Sequence, residues 1–487
     1  MDEAESGRRR EALVIVAALL AVVVPSQILW ATTQNFVLAL APVLAVAGVA
    51  CLRYAPTRWL ALGLLVMFVT LDSIDDRPFN LEWSAPTVPL SRALFANIKL
   101  VAPIDLIIPM VFVTILVRRT SALFVPLRRL LWLFLATMVW MGLWGIVRGG
   151  DLRMAWYQVR VLVWIPALVS IFFYALNVKR DLRTIAGILL FGATFKALLA
   201  IYFRYVYCAA TGSEAPTATT HSDTVLFVSA LTLLIALTLE LKSRLRLALP
   251  VALVPVIVWG LVANNRRLAY ASLAFSVVAT YSVLRDPIRR WANRAIAFAM
   301  PMAFPYLLIG WNRTGGIWGP AATIASMAQG HGRDASTATR DIENYNLVLT
   351  WKSNLLLGQG WGHAYYEVSE AYSITQFFEN YRYVAHNGVL WLASNAGIVG
   401  LTGLWMAYAG TAFFAARASR RLPHGLERAF ALWSFSIVPI ALVQAYGDMG
   451  FQCWHAVVQL SLATAIVAQS VEHDENRTLA SVRNSDR

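Results

Sequence analysis

The sequence predicts an all-α polytopic membrane protein with about twelve to fourteen transmembrane helices and one large outer loop. Three observations carry this expectation. Hydrophobic residues make up 58% of the chain, and mean hydropathy is +0.59. Charged residues are only 14%, against about 25% in soluble domains. Apolar runs of roughly 17–23 residues recur from end to end, each long enough to cross a hydrocarbon core of about 30 Å. In lipid a span must satisfy its own backbone, so each is expected to be a helix.

The runs place spans at roughly 12–31, 34–52, 59–71, 101–117, 130–147, 160–177, 184–203, 223–241, 247–263, 269–284, 295–310, 389–416, 429–446 and 452–470. The opening "MDEAESGRRREALVIVAALLAVVVPSQILW" has no clear small-residue cleavage site, and another span follows at once. It is therefore read as a retained helix rather than a removed leader.

Orientation follows from loop charge. With Arg8–Arg10 on the inner side, alternate loops become "CLRYAPTR", "VRRTSALFVPLRR", "NVKRDLR", "ELKSRLR", "LRDPIRRWANR" and "ARASRRLPHGLER", all basic. The opposite loops include "LDSIDDRPFNLEW" and "CAATGSEAPTATTHSD", which are acidic or neutral. This is the positive-inside pattern, and it puts both termini in the cytoplasm. It also accounts for the net charge of +14, so no nucleic-acid partner is expected. Cys51, Cys208 and Cys453 lack CxxC spacing and imply neither a disulfide nor a metal framework.

The chain 1–487 thus reads as a single integral membrane domain, without internal repeats. A large outer loop spans 311–388, and the polar tail 471–487 is expected to be cytoplasmic and disordered. The loop holds "RTGGIWGP", "AQGHGRDASTATR", a helical stretch "DIENYNLVLTWKSNLLL", then "GQGWGHAYYE". It ends in "YRYVAHNGVLWLASNAGIVGL", where His386 and Asn387 stand at the lip of the next span. Long loops in compact proteins usually carry function.

Charges beside lipid are costly and therefore informative. On the outer side lie Arg148, Arg153 and Arg160, Arg204, Arg266 and Arg267, Arg333, Arg340, His363, Arg382, His386 and Asp448. Lys196 and Asp105 fall within spans. Several arginines, a histidine and few carboxylates describe a site for an anion, since guanidinium forks match phosphate. An imidazole titrating near neutrality can take a proton from a hydroxyl. There is no P-loop, no GxSxG and no metal-ligand spacing, so no metal or cofactor is expected. The chemistry suggested is attack of a hydroxyl on a carbon bearing a phosphate leaving group, at the outer interface.

Plainer readings stand beside these. Arg148, Arg153 and Arg160 suit interfacial anchoring. Asn387 suits a helix cap, which explains the Asn and not the His. Lys196 either snorkels or pairs with Asp105 or another acid. Most of the eighteen Trp and seventeen Tyr suit interfacial belts. The outer-loop aromatics Trp361, Tyr365, Tyr366, Tyr372, Tyr381 and Tyr383 are denser than a belt needs, which suits stacking on sugars.

The segment 340–401 resembles the hallmark region of the O-antigen ligase and O-antigen polymerase superfamily of bacterial envelopes. The residues that carry the likeness are Arg340, Trp351, Gly358-Gln359-Gly360, His386-Asn387, Gly397 and Gly400, with "NNRRLAYASL" in a short outer loop. Leu356–Leu357 and Asn395–Ala396 depart from the Pro and Glu that the family often has at these places. The resemblance implies a class C glycosyltransferase-like fold in the bacterial inner membrane, with a metal-independent, inverting activity on the periplasmic side. The implied donor is an undecaprenyl-pyrophosphate-linked glycan. The implied acceptor is a second glycan for a polymerase of O-antigen, capsule or exopolysaccharide, and lipid A–core or protein for a ligase; a chain-length regulator protein is a further implied partner. By position, Arg266 or Arg267 with Arg340 would bind pyrophosphate and His386 would activate the hydroxyl. Asn387, Arg160, Arg204, Arg382, His363 and Asp448 would support them, and Trp361, Tyr365, Tyr366 and Tyr381 would stack on sugar. A competing class, a lipid-linked oligosaccharide transporter or flippase, draws on Lys196 and Asp105; the absence of paired broken repeats in the sequence weighs against it.

Overall fold

A computed structural model describes residues 23–28, 36–71, 102–212, 217–241, 245–286, 288–313, 316–329, 335–370 and 380–485. Arg8–Arg10, most of the first expected span, Arg333 and Tyr372 lie outside these residues. Among the described residues every regular element is a helix.

Helices α1 (Phe36–Tyr54), α2 (Thr57–Leu71), α3 (Pro103–Arg118) and α4 (Val125–Val147) come first. Next are α5 (Leu152–Val159), α6 (Ile165–Ala175), α7 (Val178–Tyr202), α8 (His221–Glu240), α9 (Leu245–Asn264), α10 (Arg267–Val283) and α11 (Ile288–Gly310). The large loop contributes α12 (Gly319–Gln329) and α13 (Ala335–Ser353). The chain closes with α14 (Gly388–Arg421), α15 (Leu426–Gly447) and α16 (Trp454–Ser485). The local signals are ordinary ones. Asp151, Asn177 and Asn387 cap α5, α7 and α14 through their side chains. Pro103, Pro126 and Pro166 sit in the first turns of α3, α4 and α6.

Among the described residues, eight helices are long and apolar enough to cross a membrane, and a ninth is counted if α5 and α6, bent by 58°, form one broken span. The protein is therefore multi-pass and helical. A helix stands at each expected position from 34–52 onward, but several are short. At 15, 16 and 17 residues, α2, α3 and α10 reach about 23–26 Å, less than the roughly 30 Å of hydrocarbon. Hydropathy marks apolar runs without fixing their helical length.

The centre is α8, α15 and α16, where Phe227, Phe430, Trp433 and Leu460 are buried. Around it pack α7, α10 and α14. Helix α11 lies at the periphery and exposes Phe298, Met300, Met302 and Phe304, as a lipid-facing helix would. The C-terminal tail corrects the expectation of disorder, because α16 runs on to Ser485. Arg417 meets Glu475 at 2.6 Å and Arg421 meets Asp474 at 3.6 Å, so the polar composition serves ion pairs with the end of α14.

The G-x-G turn is spliced into α14. Gly397 interrupts that helix with φ 60° and ψ −171°, which frees backbone groups on both sides of the break. The N–H groups of Gln359 and Gly360 donate to the carbonyls of Ser394 and Asn395 at 3.0 and 2.8 Å. In return Ile398 and Val399 donate to the carbonyls of Leu355 and Leu356 at 2.9 and 3.1 Å. A Cβ on Gly397 would lie 2.3 Å from the Leu356 carbonyl oxygen, and one on Gly360 would lie 2.3 Å from the Gly145 nitrogen. The loop thus passes between α4 and the α14 break where only glycine fits.

Candidate functional site

The polar residues at one end of the bundle form a connected network around His386. Asn387 caps α14 by accepting from the Leu390 N–H at 3.1 Å, which fixes the residue before it. The His386 carbonyl accepts from Gly388 at 3.1 Å and from Met449 at 2.9 Å. Its backbone N–H donates to Glu343 Oε2 at 3.1 Å. The imidazole Nδ1 lies 3.3 and 3.2 Å from the two Glu343 carboxylate oxygens. In the neutral ring, Nδ1 committed to a carboxylate carries the proton and Nε2 keeps its lone pair. The His386 side chain is 30% exposed and that of Glu343 only 9%.

Helix α13 supplies the acid. Arg340 and Glu343 are three residues apart and share one face. The Glu343 hydrogen bond raises the proton affinity of His386; burial opposes it, the Glu343 charge adds to it, Arg340 opposes and Asp448 adds. The net shift is upward.

Asp448 ends α15 and is 7% exposed. Burial pushes its carboxyl up, but the His221 hydrogen bond and the charges of His221, His386 and Arg340 outweigh it and hold the group below its usual range. His221, the first residue of α8, contacts Asp448 through Nδ1. Its Nε2 faces Nη1 of Arg266. Arginine can only donate, so Nε2 accepts and Nδ1–H donates to Asp448. Arg266 Nη2 also donates to Thr217 Oγ1 at 3.1 Å and to the Thr219 carbonyl at 3.3 Å.

The turn that presents Arg266 is built by two asparagines. Asn264 is buried at the end of α9, where its oxygen accepts from the Thr219 N–H at 2.8 Å. Asn265 takes φ 54°, a left-handed conformation that Asn tolerates. The chain reverses there, and Arg266 points to the segment before α8. Arg266 is half-buried in this network, while Arg267 is exposed at the start of α10.

His386, Arg340, Asp448 and Arg266 are therefore brought together, with Asn387 beneath them. Glu343 and His221 complete the group and were not legible as members. The signal for Glu343 is its spacing from Arg340 on one helix; His221 begins a helix after a stretch of neutral composition.

Other expected residues stand elsewhere. Arg160 pairs with Asp105 at 2.8 Å. Lys196 therefore takes a different acid, Asp223 at 3.4 Å, which also lies 3.4 Å from His455. Arg204 lies in a π-turn, Phe203–Tyr207, that continues α7. Arg382 is exposed and 3.8 Å from Glu367. His363 Nε2 is 3.2 Å from the Gly145 carbonyl, and Arg148 donates to the Gly358 carbonyl at 3.3 Å; both secure the spliced loop. Two sugar-stacking assignments are corrected. Trp361 is 1% exposed and packs on Trp391, and Tyr365 is buried against Tyr381. The splice draws this part of the loop into the core, so neither ring has a free face. The Tyr381 hydroxyl donates to Glu367 at 2.6 Å; burial and that hydrogen bond push it up to about 12. Tyr366 remains exposed.

The site is thus a histidine with one nitrogen held by a carboxylate, within the field of Arg340 and linked through Asp448 and His221 to Arg266, at one end of a membrane bundle. No protein-family model matches the chain, and no curated protein matches it.

Proposed function

We propose that this chain is an inverting membrane glycosyltransferase that moves a glycan from an undecaprenyl-pyrophosphate carrier to an acceptor hydroxyl at the periplasmic face of the bacterial inner membrane. The observation that carries the reading is the Glu343–His386 pair beside Arg340, joined through Asp448 and His221 to Arg266.

In this reading the acceptor oxygen forms a bond to the anomeric carbon as the bond from that carbon to the pyrophosphate oxygen breaks. His386 Nε2 takes the hydroxyl proton, and Glu343 steadies the imidazolium that results. The electron pair of the breaking bond leaves with the lipid pyrophosphate, whose growing charge Arg340 and Arg266 meet with fixed donors. Asp448 and His221 keep Arg266 in place. The product is a polymer if the acceptor is a second lipid-linked glycan, and a ligated conjugate if it is lipid A–core. A chain-length regulator suits the polymerase form.

The buried Lys196–Asp223–His455 group favours a second reading, an ion-coupled transporter of lipid-linked oligosaccharide, because charges within a span mark ion paths. The purified full chain with a lipid-linked oligosaccharide separates the two. New glycosidic bonds formed without an ion gradient support the enzyme; movement of unchanged glycan across a vesicle supports transport and removes the first reading. In a deletion strain, single lipid-linked repeats accumulate if the chain is a polymerase and long lipid-linked chains if it is a ligase.

A further inference from the structure

We propose that the end of the bundle opposite His386 holds a site for a phosphate-bearing anion, the headgroup of an anionic phospholipid. The two places are separated along α15, whose 22 residues put about 33 Å between its ends. At the far end a cavity of about 390 Å³ opens between the starts of α7 and α15, lined by Lys179, Arg180, Arg183, His424, Leu426 and Glu427 among others.

The charges around this cavity are unevenly used. Asp181 is taken by Arg58 at 2.7 Å and by Arg180 at 3.0 Å. Glu240 is taken by the buried Arg428 at 3.2 Å and by His424 at 3.0 Å. Among the described residues, no carboxylate stands within ion-pair distance of Lys179 or Arg183. Glu427 supplies one negative charge to the wall. The balance favours an anion in the cavity.

The backbone adds to it. The start of α7 is closed, since Asn177 caps the Lys179 N–H at 2.9 Å and Gln469 accepts from Val178 at 3.2 Å. The start of α15 is not, because its N-cap is Gly425, with no side chain to offer. Open N–H groups at the positive end of a long helix complement an anion already favoured by two cations.

The wall also has apolar members, Leu182, Pro423 and Leu426, at helix ends where headgroups meet the bilayer. Free phosphate has no use for them; the glycerol and first acyl carbons of a phospholipid do. This chemistry selects the lipid source.

The test uses the purified full chain, stripped of lipid in a neutral detergent. Thermal unfolding and native mass spectrometry are followed with phosphatidylglycerol, phosphatidylcholine or inorganic phosphate added. Phosphatidylglycerol is expected to raise Tm by several degrees and to remain bound, whereas phosphatidylcholine does neither. In the Lys179→Ala/Arg183→Ala variant the apparent affinity is expected to fall at least about tenfold. Both side chains are exposed, so the variant keeps its fold; Arg183→Gln alone should show the same direction. Equal shifts from the two lipids, or an undiminished phosphatidylglycerol shift in the variant, would overturn the site. An equal, Arg183-dependent shift from inorganic phosphate alone would overturn the lipid headgroup as its occupant.

Discussion

The two ends of α15 carry the same residue types in opposite states. At its start, Arg428 and Glu240 are 1% and 2% exposed and hold each other, with His424 across them. At its end, His386 is 30% exposed by side chain, has one nitrogen on Glu343, and faces Arg340 and Asp448. A buried pair closed on itself is part of the fold, and breaking it strands a charge. A half-exposed histidine with a free nitrogen and a raised proton affinity is available for work. Residue type alone does not separate the two; exposure and the number of committed atoms do.

That contrast can be broken or sharpened by substitution. The largest effect on stability is expected for Glu240→Ala, which strands the buried Arg428. A loss of about 3–5 kcal/mol should appear as a fall in unfolding midpoint, with activity per folded molecule unchanged. Next is Gly397→Ala. The left-handed φ and a Cβ 2.3 Å from the Leu356 carbonyl oxygen should cost about 1–3 kcal/mol, read by the same measurement. Smallest on stability is Glu343→Gln, which keeps hydrogen bonding at His386 and removes the charge. Turnover should fall about tenfold as the base weakens. Because Glu343 raises the proton affinity of His386, its neutralisation lowers that affinity. The free base then persists to lower pH, so the acidic limb of the rate profile should move down while the maximum falls. A lower rate with an unmoved limb would assign Glu343 to packing alone.

The sequence exposed some parts of this molecule and hid others, for physical reasons. Apolar runs and basic loops mark helices well, because lipid and the positive-inside bias act on composition. Helical length is a finer matter, and α2, α3 and α10 fall short of a full crossing. Asn387 is legible as a cap and His386 as an oddity beside it. Glu343 is not, since a carboxylate on a polar loop helix looks ordinary until its partner is known. His221 is hidden for the same reason, in a short loop that reads as neutral. The burial of Trp361 and Tyr365 depends on the Gly397 break accepting the Gly358–Gly360 turn, a long-range backbone match that local pattern does not reveal. The tail 471–487 misled because Asp474 and Glu475 spend their charge on α14 rather than on water.

The central claim is that His386 does chemistry while the buried Glu240–Arg428 pair serves the fold. Product formation by the purified full chain, given an undecaprenyl-pyrophosphate-linked glycan and an acceptor, tests it most directly. His386→Ala should retain the wild-type unfolding midpoint and lose glycosidic bond formation by at least about a hundredfold. Glu240→Ala should lower the midpoint and leave turnover per folded molecule intact. Undiminished glycosidic bond formation by His386→Ala would contradict the account.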